Sequence, residues 1–397
     1  MKSHRSPLAA LACAALCSLV VACADDVSPG GGGSGGGSGG EATTGGQGVG
    51  AGTSDGGAPS GGAPSNGGGA MGGESAQGGS GGGTPCPDVT VCDAPYPDLG
   101  DARDWNHFSS EFTAQSFANH RGRDMFYNPG DTMWVMAKFA YGVFDDDIQD
   151  EEVDVYLNRG CGNDWQLVDT VLTTEDDTHP TVEGVEDTGG WVFFDATSLG
   201  LEEGRHRFLM AVGGDLTTTE VYLDIVKPGT PLVVSDVDGT LTTEENEEFS
   251  ALLTGDLPQS NPDSAAVMWA LSDKGYRIYY VTARPDFLGG RTREFLSAHQ
   301  YPLGLVHTTL STTGATGDAA AEYKTGELAA IAARGLVPSW AFGNTTTDAQ
   351  AYEASNIQPP EHRIMFQFTD EMYGCRRIEA YSELLPEIDA LDPAQCP

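Results

Sequence analysis

Two aspartates, Asp236 and Asp238, stand two residues apart in SDVDGTLT (235–242), directly after the apolar run PLVVS (231–235). Neighbouring carboxylates repel, and the repulsion raises a pKa unless a cation or a proton intervenes. The compensating charge must come from elsewhere in the chain. Candidate partners fall at or after the ends of later apolar runs: Thr282, Ala283 and Arg284 in VTARP (281–285), Lys324 in AEYKTGEL (321–328), and Asn344 with Asp348 in FGNTTTDAQAY (342–352). A hard, oxygen-rich site with a lysine beside it suits a small divalent cation.

Each residue taken singly has a plainer reading. DVDGT alone fits a turn, or the metal-binding DxD of a glycosyltransferase; Lys324 alone is a helix lysine and Asn344 a turn asparagine. What favours the chemical reading is their joint order on elements able to bring them together. After Pro228, apolar runs at 231–235, 276–282, 303–309, 339–343 and 363–368 alternate with helical segments. The helix in NPDSAAVMWALSDKG (261–275) is expected to start with Asn261 as N-cap and Pro262 at its first position, and to end at Gly275. A second, DAAAEYKTGELAAIAARG (318–335), closes on Gly335. Near-continuous apolar strands between helices predict an α/β, Rossmann-like parallel sheet covered on both faces. Ligands of such sheets bind beyond the carboxyl ends of the strands, where SDVDGT falls.

These motifs resemble, in order and spacing, those of the haloacid-dehalogenase phosphohydrolase superfamily. Residues 231–370 are similar, more narrowly, to the catalytic domain of lipin-type phosphatidate phosphatases and to the C-terminal domain of membrane-associated phosphatidylinositol-transfer proteins. The likeness rests on VVSDVDGTLT, GYRIYYVTARP, RTREFL, PLGLVH and AFGNTTTDAQAY and covers about a third of the chain. It implies a Mg2+-dependent phosphatase in which Asp236 attacks phosphorus and forms an aspartyl-phosphate, while Asp238 protonates the leaving oxygen and later activates water. It further implies that Gly239 and Thr240 shape the loop, that Thr282 and the neighbouring Ala283 amide hold phosphoryl oxygens, and that Arg284 reaches a substrate phosphate or headgroup. Lys324 neutralises the transferring group. Mg2+ is then held by Asp236, Asp238 through its carbonyl, and Asn344, with Asp348 nearby or bound through water. Arg291 and Arg293 lie close by and read equally as a solvated helix start.

Roughly 40 residues separate the first motif from the second, and about as many separate the second from Lys324, too few for a folded cap domain. The fold expected is therefore of the haloacid-dehalogenase type without a large cap, with a site open to a phosphate presented by a membrane lipid such as phosphatidate. Two alternatives stand. One is a non-catalytic phosphatidate- or phosphoinositide-binding module like the transfer-protein domains, which depart from the catalytic motif. The other is an exported phosphatase for a phosphoprotein or sugar phosphate. TEENEEFS (243–250) departs from the residues that lipins carry there.

Residues 86–228 read differently. Period-two alternation at 132–142, 152–158, 165–172, 190–196, 205–213 and 219–226, punctuated by Pro129-Gly130-Asp131, Gly189-Gly190 and Gly213-Gly214-Asp215, predicts an immunoglobulin-like β-sandwich. Lipins also combine such a domain with the catalytic one. The acidic stretch FDDDIQDEE (144–152) lacks the spacing of a defined calcium loop and is expected to be a solvated acidic loop.

The N-terminus reads as an export signal (1–22): Lys2, His4 and Arg5 precede an apolar run ending in LVVAC. This resembles a bacterial lipobox and implies lipidation of Cys23. Ala24 after it favours the outer membrane or cell surface. Residues 23–85 are Gly/Ser-rich, and ~55 residues of such chain reach roughly 40 Å as a flexible tether. In an oxidising compartment Cys86–Cys92 and Cys375–Cys396 are the expected bridges, leaving Cys161 over. A net charge of −38 argues against nucleic-acid binding and against docking on anionic lipid by charge. Contact with a membrane would then come through the lipid anchor.

Overall fold

The computed structural model describes residues 84–87, 89–243 and 257–397. The expected signal, Cys23, most of the tether and nearly all of TEENEEFS lie outside them. Among the described residues no helix is long and apolar enough to cross a membrane.

The first layered unit is a sandwich. A three-stranded antiparallel sheet orders β1 (Arg121–Arg123), β3 (Trp134–Lys138) and β8 (Trp191–Asp195) as β1-β3-β8. A five-stranded sheet orders β2 (Met125–Tyr127), β6 (Glu152–Asn158), β7 (Trp165–Leu172), β9 (Gly204–Val212) and β10 (Thr218–Ile225) as β2-β10-β9-β6-β7. A separate short antiparallel pair joins β4 (Ala140–Tyr141) with β5 (Asp146–Asp147). Alternate residues of these strands, Val135, Val153, Val155, Phe208, Met210 and Val221 among them, fill one core between the sheets. A six-residue helix, α1 (Phe108–Thr113), precedes the strands.

The second unit is a six-stranded sheet of β11 (Leu232–Ser235), β12 (Arg277–Val281), β13 (Gly304–His307), β14 (Pro338–Gly343), β15 (Arg363–Phe366) and β16 (Arg376–Ile378). Its order is β13-β12-β11-β14-β15-β16 and every pairing is parallel. Consecutive residues of β11 feed opposite faces. Val233 joins a core with Val267 and Leu271 of α2 (Ser264–Asp273), Phe295 of α3 (Gly289–Ala298) and Ile388 of α6 (Leu385–Asp389). Leu232 and Val234 join Leu328 and Ile331 of α4 (Asp318–Ala333) and Tyr352 of α5 (Thr346–Ala354). Burial on both faces is why these strands are continuously apolar. The second core also takes in Phe126 and Tyr222 from the sandwich.

Charged groups join the two units where β13 would otherwise present an open sheet edge. Asp124, fully buried between β1 and β2, accepts from the Tyr222 amide at 2.9 Å and from the Val306 amide of β13 at 2.9 Å. Arg293 meets the same carboxylate at 2.8 Å, so it braces the seam rather than a solvated helix start. Arg291 pairs with Glu294 at 3.5 Å.

Three expectations are corrected. The disulfides are Cys86–Cys396 and Cys92–Cys161, and Cys375 is the free thiol among the described cysteines. The pairing follows the fold: the strand at Thr84–Pro85 lies antiparallel to Gln395–Cys396, bringing residues far apart in sequence together. Helix α2 starts at Ser264 with Asp263 at its N-cap, so Asn261 and Pro262 precede it. Asn261 instead donates its side-chain amide to the carbonyls of Thr240 (2.7 Å) and Thr242 (2.8 Å), bracing the loop after Asp238. The acidic stretch 144–152 is not simply solvated. Asp145 pairs with Arg121, Asp147 with Lys138, and Glu151 accepts the amides of Asn106 and His107.

Candidate functional site

The residues with chemical potential gather at the carboxyl ends of β12, β11 and β14, at the sheet's centre where the order of connection reverses. Asp236 follows β11 directly and its amide donates to the Phe342 carbonyl of β14 at 2.9 Å. Its carboxylate is buried. Oδ1 accepts from Lys324 Nζ at 2.8 Å and Oδ2 from Thr240 Oγ1 at 3.2 Å. Gly239 makes the turn between Asp238 and Thr240 with φ +67°, a conformation that favours glycine.

Lys324 comes from the middle of α4 and also donates to Asp348 Oδ1. Asp348 is fully occupied. Its Oδ2 accepts the amides of Asn344 (3.1 Å) and Thr345 (3.1 Å) and the Thr345 hydroxyl (2.7 Å), and Thr345 closes a capping box on α5. Close approach is possible because residue 343 is glycine: a Cβ there would lie 2.4 Å from Asp348 Cβ. Asp348 thus supports Lys324 and the Asn344 loop, while Asn344 Oδ1 accepts from Thr240 Oγ1 at 2.8 Å.

Asp238 is held differently. Arg284 Nε donates to Oδ1 (3.0 Å) and Oδ2 (2.9 Å), Arg284 Nη2 donates to Oδ1 (2.7 Å), and Thr282 Oγ1 donates to Oδ2 (3.0 Å). Arg284 Nη1 is steadied by Thr292 Oγ1 at 2.9 Å. The hydroxyl of Thr282 therefore positions Asp238.

Electrostatics follow from burial. Burial pushes the Asp236 carboxyl up, Lys324 pulls it down, and Asp348 and Asp238 push it up again; the net direction is upward. Burial alone would lower the Lys324 ammonium, but Asp236 and Asp348 hold it well above its ordinary value. Three carboxylates face two cations, and one Thr240 hydroxyl proton serves only one of two converging oxygens, Asp236 Oδ2 and Asn344 Oδ1, at a time. This hard-oxygen set fits Mg2+ held by Asp236 and Asn344. Among the described residues, no group of three or more His, Cys, Asp or Glu side chains is arranged to hold an ion, in line with the commitment of Asp238 and Asp348 to other partners.

A cleft of about 480 Å³ opens over these groups, lined by Asp236, Asp238, Ala283, Arg284, Lys324 and Asn344. Gly239, Thr240, Thr282 and Asp348 stand behind it. Sequence reading missed part of its wall: Thr313, Ala315 to Gly317, Thr345 to Thr347, Phe368 and Asp370 also line it. Only the Thr345-Thr346-Thr347 run, beside Asn344, carried a signal. A smaller cavity of about 220 Å³ lies at the seam of the two units, lined by His120, Arg121, Arg293 and His307 among others.

Residues 233–365 match the family model described as PITM 1-3, LNS2 domain, and residues 118–225 match PITM 1-3, beta-sandwich domain. The chain is 31% identical over 194 residues to protein retinal degeneration B of Drosophila melanogaster, covering 48% of this chain and 14% of that protein. It is 28% identical over 225 residues to membrane-associated phosphatidylinositol transfer protein 1 of Rattus norvegicus, covering 55% and 17%. Human membrane-associated phosphatidylinositol transfer protein 2 is 28% identical over 191 residues, covering 48% and 13%. The chain thus spans less than a fifth of these relatives. Among solved structures, the amylomaltase of Corynebacterium glutamicum aligns at 12% identity over 44% of this chain and 22% of that one, with a TM-score of 0.17, too low to carry an argument.

Proposed function

We propose that the chain is a lipin-like, Mg2+-dependent phosphomonoester hydrolase of the haloacid-dehalogenase type, acting on phosphatidate or a related membrane lipid phosphate. The observation that carries this reading is the Lys324 ammonium between Asp236 and Asp348 beneath an open cleft, with Asn344 brought to the same point by Thr240. In this reading an oxygen of Asp236 forms a bond to phosphorus as the ester P–O bond breaks. Asp238, freed from Arg284 by the incoming phosphate and protonated from solvent, gives that proton to the leaving oxygen. Asp238 then takes a proton from water, whose oxygen attacks the aspartyl-phosphate and releases Asp236. Lys324 balances charge on the transferring group, and Ala283 and Arg284 meet the phosphate. Bound Mg2+ supplies Lewis-acid stabilisation of the phosphoryl oxygens. Asp238 serves as an acid once a phosphate draws Arg284 away from it.

The same Arg284–Asp238 pair favours a second reading, a phosphatidate-binding module without turnover. The names of the relatives, as transfer proteins, lean the same way. In either reading the site lies in an exported chain anchored through lipid at Cys23.

The test is phosphate release by the full chain carrying Cys23→Ser, with phosphatidate in mixed micelles or p-nitrophenyl phosphate, in Mg2+ or EDTA. The expected outcome is Mg2+-dependent turnover that drops at least about a thousandfold in Asp236→Asn, a loss of more than ~4 kcal/mol of barrier stabilisation. Preference for the soluble ester would move the substrate to a soluble phosphate. No turnover of either, with phosphatidate still bound, would leave the binding module.

A further inference from the structure

Helix α1 buries only Ser110 and turns Phe108 and Phe112, four residues apart on one face, to solvent at 81% and 66% exposure. Phe117, 59% exposed, follows the helix, and its carbonyl accepts from the Gly142 amide at 2.8 Å. That bond sets Val143 and Phe144, the latter 66% exposed, beside it. Two exposed phenylalanines on α1 are thus followed, five residues on, by Phe117 beside the exposed Val143 and Phe144. Scattered exposed apolar residues need no account, whereas a cluster of this kind marks an interaction surface.

The cluster is joined to the cleft. Asp145, next to Phe144, accepts from Arg121 Nη1 and Nη2 at 2.6 Å, while Arg121 Nε donates to Asp286 at 2.7 Å. Asp286 directly follows Arg284 and Pro285 of the cleft wall. One nearly buried guanidinium therefore locks the aromatic turn against the loop that borders the site.

We infer that this phenylalanine cluster seats in the interfacial layer of a phospholipid bilayer and so turns the cleft toward lipid phosphates. The inference rests on the lipid-phosphate reading above and adds the surface that delivers the site to its substrate. Charge narrows the occupant. Residues 104–118 and 140–150 contain no lysine or arginine, and Glu111 and Asp146 are exposed beside the aromatics. In a chain of net charge −38, attraction to an anionic surface is absent. Aromatic insertion beneath neutral headgroups needs no such attraction. Sixty residues separate Cys23 from the first described strand, a length of chain that lets an anchored protein bring the cluster to the membrane without orienting it. The cluster supplies the orientation.

The experiment is cosedimentation of the full chain carrying Cys23→Ser with phosphatidylcholine vesicles, with and without a small fraction of phosphatidate. It is compared with the same chain bearing Phe112→Ser and Phe144→Ser. Expected is a partition coefficient lower by about tenfold or more in the double variant. Its circular dichroism and p-nitrophenyl phosphate turnover should be unchanged, and turnover of vesicle-borne phosphatidate should fall in parallel. Equal partitioning of parent and variant, or none by the parent, overturns the inference. So does a concentration-dependent dimer that the two substitutions abolish, since the surface would then serve a second copy of the chain. If the parent hydrolyses neither substrate, the phosphatase reading fails while the partitioning comparison still decides this one.

Discussion

At the scale of single residues, burial sets both the site's charge balance and the chain's response to acid. Asp236 and Asp348 sit in low dielectric with one lysine between them, an arrangement that costs stability unless all of its hydrogen bonds are made. Asp348 makes its own through the α5 cap and Lys324. His120, near the seam of the two units, shows the same physics for a base. Burial lowers its imidazole to about 4 from an ordinary 6.5, against the pull of Asp215. The Ala140 amide donated to Nδ1 requires that nitrogen to be bare, and Nε2 meets Thr217 at 2.8 Å. The folded value lies below the unfolded one, so the neutral ring's contribution is complete above about pH 6.5 and is lost as the pH falls toward 4. Up to about 3 kcal/mol is at stake. Urea denaturation across that range should show this slope in the parent chain and a shallower one in His120→Gln. Parallel slopes would remove His120 as the cause.

At the scale of elements, one helix performs two tasks. Lys324 reaches the site from α4, and Glu327, three residues on, meets Arg123 of β1 at 2.7 Å, His307 at 2.6 Å and Tyr279 at 2.8 Å. Burial would push the Glu327 carboxyl up, but Arg123 and His307 hold it well below the usual carboxylate range. The sandwich thus helps to set the register of the helix that carries the lysine. The short ladder of Thr84–Pro85 with Gln395–Cys396 acts at the opposite end of the chain order, and Cys86–Cys396 closes a loop with a sequence separation of 310. Removing that bridge by Cys396→Ser should cost about 2–5 kcal/mol, read as a lower denaturant midpoint, with a steeper slope because the unfolded chain is no longer cross-linked. Cys375→Ser should cost far less. Peptide mapping that recovers Cys375 linked to Cys396 would defeat both expectations.

At the scale of the whole molecule, the sandwich finishes the α/β sheet. An open parallel edge at β13 would expose unpaired amides, and Asp124 takes the Val306 amide while also holding Arg293 and the Tyr222 amide. Asp124→Ala would strand a partly buried guanidinium and two buried amides and should destabilise the chain by about 3 kcal/mol. Both units should lose stability together. Tryptophan fluorescence and far-UV circular dichroism should report one shared transition in parent and variant. Two separate transitions would mean that the units fold independently and that the seam is incidental.

The sequence by itself determined the local periods. Alternation at 152–158 and 165–172 matches β6 and β7 residue for residue, and the continuous apolar runs at 231–235 and 276–282 became inner strands of a parallel sheet. These patterns are legible because side-chain direction repeats every two residues in a strand, so burial on one face or both writes itself into the chain. The positions of Asp236, Lys324 and Asn344 at one cleft were legible for a related reason: each follows a recognisable strand end or lies on a helix leading from one. Long-range pairing was decided only in three dimensions. Cys86 lies six residues from Cys92 in sequence yet bonds Cys396, because antiparallel pairing of Thr84–Pro85 with Gln395–Cys396 outweighs nearness along the chain. The grip of Arg284 and Thr282 on Asp238, the cap at Asp348 and the aromatic edge tied to the cleft through Arg121 likewise join residues with no periodic relation. Such contacts depend on how sheets and helices stack, which local pattern does not encode.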